Sequence, residues 1–421
     1  MNPSRQRIAI IGSGISGLVA AHTLAEAHEV TLFEKDARLG GHTETHDIEV
    51  KGRHYAIDTG FIVFNDWTYP EFIRLMSSLG VDSQESHMSF SVKCELTGLE
   101  YNGTSLNALF AQRSNLFSPK FYRMIKDILR FNRDAPQLLD NPHSTLTLGE
   151  YLELGRYGAL FRNYYIIPMG AAIWSSHPAQ MLDFPAVFFV RFFKNHGMLS
   201  VDQRPTWRVI RGGSSTYIPA LTERFKQGIR LNAEIEGVLR HEDHVEIRFK
   251  NGDTQTFDQI VMACHSNQAL KLLKDPSPEE LDILGAMRYQ VNETVLHTDT
   301  RMLPKRPLAW AAWNYHLPKM PLDRVAVTYN MNILQGIESD TTFCVTLNHL
   351  HDIDPKRILK QISYEHPVFD QAAVNAQERF HEVSGVRRTH FAGAYWGFGF
   401  HEDGVKSGLR AAQDILKPAH E

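Results

Sequence analysis

Gly12, Gly14, Gly17 and Glu34 are the residues near the start of the chain whose types and spacing could do chemistry. The three glycines, in "IAIIGSGISGLVAA" at 8–21, keep the spacing G-x-G-x-x-G, and Glu34 follows 20 residues after Gly14. Such a set suits a dinucleotide. The first glycine permits a tight turn, the second removes a Cβ where the backbone must approach a pyrophosphate, and the third lets a helix pack closely on a strand. The helix that opens at Ile15 would turn free N–H groups and its positive end toward phosphate. A carboxylate at Glu34 would accept hydrogen bonds from a ribose.

These groups work only if the flanking text folds around them. Ile8–Ile11 reads as a short buried strand, and "ISGLVAAHTLAEA" as a helix with Leu18, Ala21 and Leu24 on one face. Val30–Phe33 reads as a second strand ending at Glu34. An apolar run behind a basic N-terminus could also be the core of a secretory signal. A signal would end in a small-residue cleavage site and lose its pattern, whereas here strand, turn, helix and strand follow one another.

Composition sets the outer bounds. The 421 residues are 43% hydrophobic and 22% charged, ordinary for a globular protein with two or three domains' worth of core. The net charge of −4 gives no reason to expect nucleic acid. Cys94, Cys264 and Cys344 are odd in number and widely spaced, which fits neither a disulfide framework nor a metal site. They point to a reducing compartment. No apolar run reaches the length of a membrane span. Twenty-one histidines include the pairs His42/His46 and His349/His351, but neither pair sits with carboxylates in a ligand pattern, so no metal is expected.

Further glycine turns and one helix carry more information. "KDARLGGHTET" brings Gly40 and Gly41 soon after Glu34, which a nicotinamide-only domain does not need. "YAIDTGFIVFN" places Asp58 and Gly60 before an apolar strand. Near the other end a strand closes at Phe391, glycines follow, and an amphipathic helix starts near Asp403 or Gly404. In "KFYRMIKDILRFNR", Lys120, Arg123, Lys126, Arg130 and Arg133 fall in one arc of about 140°, opposite Phe121, Met124, Ile125, Ile128 and Phe131. A basic amphipathic helix in an acidic protein suits an anionic membrane surface, and equally the solvated face of a helix packed on a core. "FPAVFFVRFFKNHGML" at 184–199 has the same two readings, lipid gate or core.

The segments "GSGISGL…LFEKDARLGGHT" and "FAGAYWGFGFHEDGVKSGLRAA" resemble the FAD-binding amine oxidase superfamily, which also holds protoporphyrinogen oxidases, phytoene desaturases and a polyunsaturated fatty acid isomerase. "WRVIRGGSSTYIPALTERF" and "IRLNAEIEGVLRHEDHVEIRFKNGDTQTFDQIVMAC" look like that superfamily's G-G loop, three-stranded insert and return strand, so the resemblance covers nearly the whole chain. It implies an α/β fold: a Rossmann-like FAD-binding domain of the glutathione-reductase/amine-oxidase type at 1–85, 205–270 and 385–421, with a discontinuous α+β substrate domain at 86–204 and 271–384. It implies a flavin cradle of Gly12, Ser13, Gly14, Ile15, Ser16, Gly17, Glu34, Lys35, Gly40, Gly41, His42, Thr43, Gly60, Phe61 and Gly393. The backbone at Val238 would meet the adenine, and Asp403, Gly404 and Val405 at the helix start would meet the flavin pyrimidine. Two departures matter. Ala392, Gly393 and Ala394 stand where many members have A-G-E, which removes a contact to the ribityl chain. No cysteine lies near Phe398–Asp403, so the FAD is expected to be non-covalent.

"AWAAWNYH", "VTYNMNILQGI" and "HPVFDQAAVNAQ" are similar to one bacterial flavoprotein group, whose members are often encoded beside a cyclopropane-fatty-acid synthase. A related domain is fused to that synthase in plants. The resemblance implies an FAD-dependent oxidoreductase acting on fatty acyl chains of phospholipids, by desaturation or dehydrogenation. It would be cytoplasmic, with peripheral contact at the inner face of an anionic membrane and a lipid methyltransferase as partner. Tyr395, His401 and Glu402 are the candidates for moving the proton that hydride removal leaves behind. Three other readings stay open: a double-bond isomerase; a non-catalytic flavin partner of a methyltransferase; and an amine oxidase. The last needs an aromatic cage, for which Trp310, Trp313, Tyr315 and Trp396 are available, and a lysine bridged to the flavin N5, for which no position suggests itself.

Overall fold

The computed structural model describes residues 5–320, 322 and 324–417. The nucleotide sheet starts with β1 (Arg7–Ile11) and β2 (Glu29–Phe33), joined by the helix α1 (Ile15–Leu24). The two strands pair in parallel with Ile8 opposite Val30 and Ile11 opposite Phe33. Three more parallel strands complete it: Ile229–Arg230 beside β2, then Gln259–Met262 on the other side of β1, then Thr389–Phe391 at the far edge. Both faces are covered, one by α1 and the helix His401–Leu416, the other by strands carrying Val238, Val245, Ile247 and Phe257 together with short helices, which is why Ile8–Ile10 and Ile260–Met262 read as unbroken apolar runs. The expected strands are present, with one more residue at the start of each, and α1 stops at Leu24 rather than continuing to Ala27.

Two glycine contacts bring the cradle together. Gly12 has φ +105°, and a Cβ there would lie 2.7 Å from the Ala263 carbonyl oxygen. Gly408, in the helix His401–Leu416, approaches α1 so closely that a Cβ would overlap the Ser16 carbonyl. That helix begins at His401, ahead of the expected start near Asp403, because the Asp403 carboxylate reaches back to the amides of Phe398 and Phe400, at 3.0 Å each. Its side chain organises the first turn from within.

The expected three-stranded insert is present as Ile235–Arg240, Val245–Phe249 and Thr254–Phe257. The other large sheet has seven strands. Ile358–Pro367 is at one edge, followed by Tyr289–His297, Cys344–Leu347, Val327–Asn330, Trp313–Leu317, Phe90–Cys94 and Glu100–Asn102. One face carries Val92, Tyr315, Val327 and Val345, which share the largest apolar core with the helices Pro119–Asp134, Ile167–Trp174 and Ala186–Asn195. The short helix Pro278–Ala286 and the helix Gln371–Glu378, sequence neighbours of this sheet, contribute Ile283, Leu284, Ala373 and Ala376; of these Ile283, Leu284 and Ala376 join a core with Ala9, Phe33 and Met262 of the nucleotide sheet. A single π-turn, Arg162–Ile166, interrupts the helical region, and there the Tyr164 carbonyl accepts the Tyr101 hydroxyl at 2.6 Å.

The two helices with open readings are now placed. Phe188, Phe189, Phe192 and Phe193 of Ala186–Asn195 are all buried, and Arg191 and Lys194 are exposed, so this segment is core. On Pro119–Asp134 the stripe of five cations is reduced to three. Asp127 is buried, accepts from the Gly158 amide at 2.9 Å and pairs with Arg130 at 3.0 Å; Arg130 also lies 4.1 Å over the Tyr157 ring. Arg133 pairs with Asp134 at 2.6 Å. Lys120, Arg123 and Lys126 remain exposed.

Candidate active site

The glycine turn and the acid after β2 meet as the spacing requires. The Glu34 carboxylate accepts from the Ser13 amide at 2.9 Å and the Ser13 hydroxyl at 2.5 Å, and from the Asp36 amide at 3.0 Å. The Gly40 amide donates to the Ser13 carbonyl at 3.0 Å, which lays the second glycine turn against the first. Around Gly14 there is open space, and a Cβ there would touch nothing within 4 Å. Ile15, Ser16 and Gly17, the first turn of α1, face that space without a side-chain cap at Gly14. Lys35 is exposed at the rim. The Val238 carbonyl, expected near the adenine, accepts the Lys274 amide at 3.0 Å. Asp58, in the turn before Gly60, is buried and accepts from Ser214, Thr45 and Gln335; burial pushes its carboxyl up to about 6.

The C-terminal loop and helix close the cradle from the other side. The His401 ring lies flat on Phe61, and its Nε2 is 3.0 Å from both the Thr43 and the Tyr217 hydroxyls. Burial drives its pKa far below the usual value, so it is neutral. The Glu402 carboxylate caps the helix Pro70–Ser78, accepting from the amides of Glu71 at 3.1 Å and Phe72 at 2.9 Å, and pairs with Lys406 at 3.2 Å. Tyr395 is buried against Gly393 and Trp396, and burial holds its hydroxyl protonated. His401 and Glu402 thus bond across the cradle, Tyr395 packs inside it with its hydroxyl buried and without a partner among the described residues, and Gly404 and Val405 are buried behind them at the contact with α1.

A polar cluster that the sequence does not announce lies beside His42. Its ring is 5.1 Å from Tyr364, 5.4 Å from His366 and 5.8 Å from His265. The tautomer of His366 follows from a chain of amides. Asn348 accepts from the Glu293 amide at 3.0 Å and donates to Asn292 Oδ1 at 2.7 Å. Asn292 then donates to His366 Nδ1 at 2.8 Å, which leaves the imidazole proton on Nε2. Burial lowers His42 and His265 to about 4 and His366 to about 3, so all three are neutral N–H donors. His42 Nε2 is buried with no hydrogen-bond partner among the described residues. His265 reaches the half-exposed Glu365 at 3.2 Å, and the Tyr364 hydroxyl joins Thr59 and Glu44 at 2.8 Å each. These residues come from six separate stretches of chain, so no local pattern marks them; the fold alone collects them.

Next to the loop before helix His401–Leu416 the surroundings are aromatic. Phe398 lies 4.6 Å from Phe188, Phe400 lies 5.1 Å from Phe192, and Trp174 donates to the Phe398 carbonyl at 3.2 Å. The Asp403 carboxylate serves the loop itself, accepting from the amides of Phe398 and Phe400, and burial pushes its carboxyl up to about 6. Among the described residues the other buried ionic side chains are all engaged elsewhere: Glu100 with Arg306, Asp127 with Arg130, Arg240 with Glu280, Asp299 with Arg301, and Glu34, Asp58 and Glu402 as above. Lys93 is the only lysine among the described residues that is not exposed, and it donates to the carbonyls of Arg301 and Leu303 on the opposite face of the seven-stranded sheet. A cleft of about 670 Å³ opens there, beside a chain of Glu95, His316, His349 and Asp352. The four expected cage aromatics are not brought together. Trp310 borders that cleft, Trp313 and Tyr315 pack on the large core, and Trp396 stacks edge-on against Phe380. Among the described residues no group of three or more His, Cys, Asp or Glu side chains is placed to hold a metal ion, and no helix is long and apolar enough to cross a membrane.

A glycine cradle with a carboxylate after the second strand, a second glycine turn and a closing C-terminal helix defines a flavoprotein fold of the amine-oxidase type. The profile of the flavin-containing amine oxidoreductase family matches residues 15–314, and the chain belongs to that family. An L-amino-acid oxidase of Demansia vestigiata is 22% identical, over 97% of this chain and 86% of its own length. The cyclohexylamine oxidase of Brevibacterium oxydans superposes with a TM-score of 0.71 at 15% identity, covering 98% of both chains. The CLA-producing fatty acid isomerase of P. acnes superposes with a TM-score of 0.67 at 15% identity, covering 98% of this chain and 99% of its own. FAD is the cofactor, and the residues present fit it. The open space before Gly14 would receive a pyrophosphate, Glu34 would offer lone pairs to a ribose, and the buried His42 Nε2, unpartnered among the described residues, would accept a hydrogen bond, because the other ring nitrogen donates to the Glu365 carbonyl. Cys264, the cysteine adjoining the glycine turn, sits at the ribose end near Glu34, and burial pushes its thiol up to about 12. A neutral thiol there does not attach a flavin ring.

Proposed function

We propose that this protein removes two hydrogens from a fatty acyl chain. The observation that carries the reading is the aromatic region beside the C-terminal loop, where Phe188, Phe192, Phe398 and Phe400 meet and the one carboxylate the loop holds there, Asp403, is taken up by the amides of Phe398 and Phe400. Placing an ammonium or a carboxylate among those rings would leave a buried charge without a partner, which is costly, whereas an alkyl chain matches them. When bound, FAD supplies the acceptor for a hydrogen and its electron pair. The N-terminal end of the helix His401–Leu416 would favour negative charge on a bound flavin. His42 donates one ring N–H to the Glu365 carbonyl, so its buried Nε2 keeps a lone pair that can take the second hydrogen as a proton; His366 presents a neutral Nε2–H beside it, and His265 with Glu365 links the cluster toward solvent as the exit. The resemblance to flavoproteins found beside cyclopropane-fatty-acid synthases supports an acyl substrate carried on a phospholipid. The solved fatty acid isomerase supports it only in showing that this fold can act on fatty acids.

A second reading is amine oxidation, favoured by the family and by the oxidases among its relatives. Against it stands the absence of a buried lysine outside the Lys93 cleft among the described residues. Anaerobic mixing separates the two. Dispersed phospholipid should bleach the oxidised flavin band at about 450 nm, and L-amino acids and alkyl amines should not. Bleaching by an amine alone would replace the acyl reading. A shifted double bond without bleaching would point to an isomerase, and no change with any compound to a non-catalytic partner.

A further inference from the structure

From Tyr101 to Lys126 the chain holds Arg113, Lys120, Arg123 and Lys126 and not one Asp or Glu, in a protein whose net charge is −4. None of these four forms an ion pair among the described residues. The same stretch exposes large apolar side chains. Leu106 is 77% and Phe117 87% exposed, and Leu116, Tyr122 and Leu129 are exposed with them. Five of the sixteen exposed large hydrophobic residues thus lie within 106–129. An unclustered surface would scatter them.

The stretch is a built surface, not a loose loop. Arg113 donates to the Phe110 carbonyl at 3.0 Å and to the Asn107 side chain at 2.7 Å, which fastens the turn Arg113–Phe117 to the short helix Leu106–Leu109. The Tyr122 hydroxyl donates to the Leu116 carbonyl at 3.2 Å, and the Tyr122 ring lies 5.8 Å from Phe110. The turn Pro307–Ala309 packs on Leu106–Leu109 and adds the exposed Leu308, with the unpaired Lys305 beside it. Tyr122, Leu129, Lys126 and Arg123 occupy one face of the helix Pro119–Asp134, the face opposite its buried Phe121, Met124 and Phe131.

We infer that this surface docks on an anionic phospholipid bilayer, with Leu106 and Phe117 entering the acyl boundary and the cations Arg113, Lys120, Arg123, Lys126 and Lys305 meeting the headgroups. Rigidly held apolar tips ringed by cations, with an aromatic hydroxyl between them, match an interface that is apolar below and negative above. An acidic protein surface would satisfy the cations and leave Leu106 and Phe117 in water. A second copy of this acidic chain would bring like cations face to face. The inference rests on exposure and charge alone and goes beyond the acyl reading, since it says where the protein stands, not what it oxidises.

Vesicle co-sedimentation of the full flavin-loaded protein tests it. Vesicles of phosphatidylcholine with about one third phosphatidylglycerol should pull the protein down at low salt, and pure phosphatidylcholine vesicles should not. Each cation near the surface is worth about a fivefold change in partition, so R123E with K126E should reduce binding by at least about twentyfold. L106S with F117S should reduce it about tenfold or more at unchanged charge. The flavin spectrum and melting temperature of both double variants should match the parent, because all four side chains are exposed. Equal pelleting with neutral and anionic vesicles, or parent-like binding by either double variant, overturns the inference. So does a concentration-dependent dimer that both variants abolish while the parent ignores vesicles. Vesicle binding is read without turnover, so its failure leaves the acyl reading standing for substrates delivered in solution.

Discussion

His401 lies flat against Phe61, with ring centroids 3.5 Å apart and planes 8° from parallel, and its Nε2 meets the hydroxyls of Thr43 and Tyr217. The contact ties the first turn of the C-terminal helix to the turn after Gly60. Replacing His401 by Phe keeps the stack and strands two hydroxyls that still bond each other. The variant should stay yellow and lose about 1–2 kcal/mol of stability in denaturant titration. Its turnover should show the same pH profile as the parent. A profile that loses a limb in H401F would return His401 to the chemistry.

Asn292 fixes the proton of His366 on Nε2. Asn292→Leu removes the donor that fixes it, and the imidazole is then free to change tautomer. Flavin content should stay near the parent's, while kcat falls about a hundredfold, within the range seen when a positioned proton-handling group is lost. Asn292→Gln, if the longer amide still reaches Nδ1, should recover part of it. Parallel loss of flavin and rate in both variants would mark a structural role only.

Gly14 faces open space, so Gly14→Val costs little inside the protein and occupies the place of the pyrophosphate. The variant should fold and be colourless. From the parent, acid precipitation should release all yellow colour into the supernatant. Colour kept by the pellet would mean a covalent link.

Acid should unfold this protein early. Burial lowers His42, His196, His265, His297, His316 and His390 to about 4 and His366 to about 3, and it holds His401 well below the usual imidazole value. Each is depressed below its unfolded value of about 6.5, so the unfolded chain binds more protons between pH 6.5 and 4 and stability falls as pH falls through that window. Asp58 and Asp403, raised to about 6, act in the opposite sense, binding protons first in the folded state. Eight groups outnumber two. The melting temperature should drop steeply from pH 6.5 to 4.5, with several protons taken up on unfolding in a pH-jump titration. A flat melting temperature over that range would mean the imidazoles are reached by water.

The first half of the cradle was legible because it is local. Gly12, Gly14, Gly17 and Glu34 lie on one strand–helix–strand unit, and apolar runs of the right period bracket them. The cluster of His42, His265, Asn292, Asn348 and His366 was not legible, since each residue is separately an ordinary polar residue and their meeting depends on the pairing of Tyr289–His297 with Ile358–Pro367. Tyr395, His401 and Glu402 stand in the loop and helix the sequence marks, but Thr43, Tyr217 and the amide of Phe72, which His401 and Glu402 bond, are far along the chain, so spacing could not announce those contacts. The basic stripe was legible as a period, yet Asp127, Asp134 and Tyr157 withdraw two of its cations.

The nucleotide sheet takes β1 and β2 from the beginning of the chain and Thr389–Phe391 from near its other end, and His401 must reach back to Phe61. Translation therefore supplies the two jaws of the cradle at opposite moments. A nascent chain halted before Thr389 carries the glycine fingerprint but lacks the strand and helix that close it, and its α1 has no Gly408 to bury Ser16. Since domains tend to fold as they emerge, the early part must wait with an apolar edge open. Cofactor capture then reports that synthesis has passed the helix His401–Leu416, and colour becomes a record of how far the ribosome has travelled.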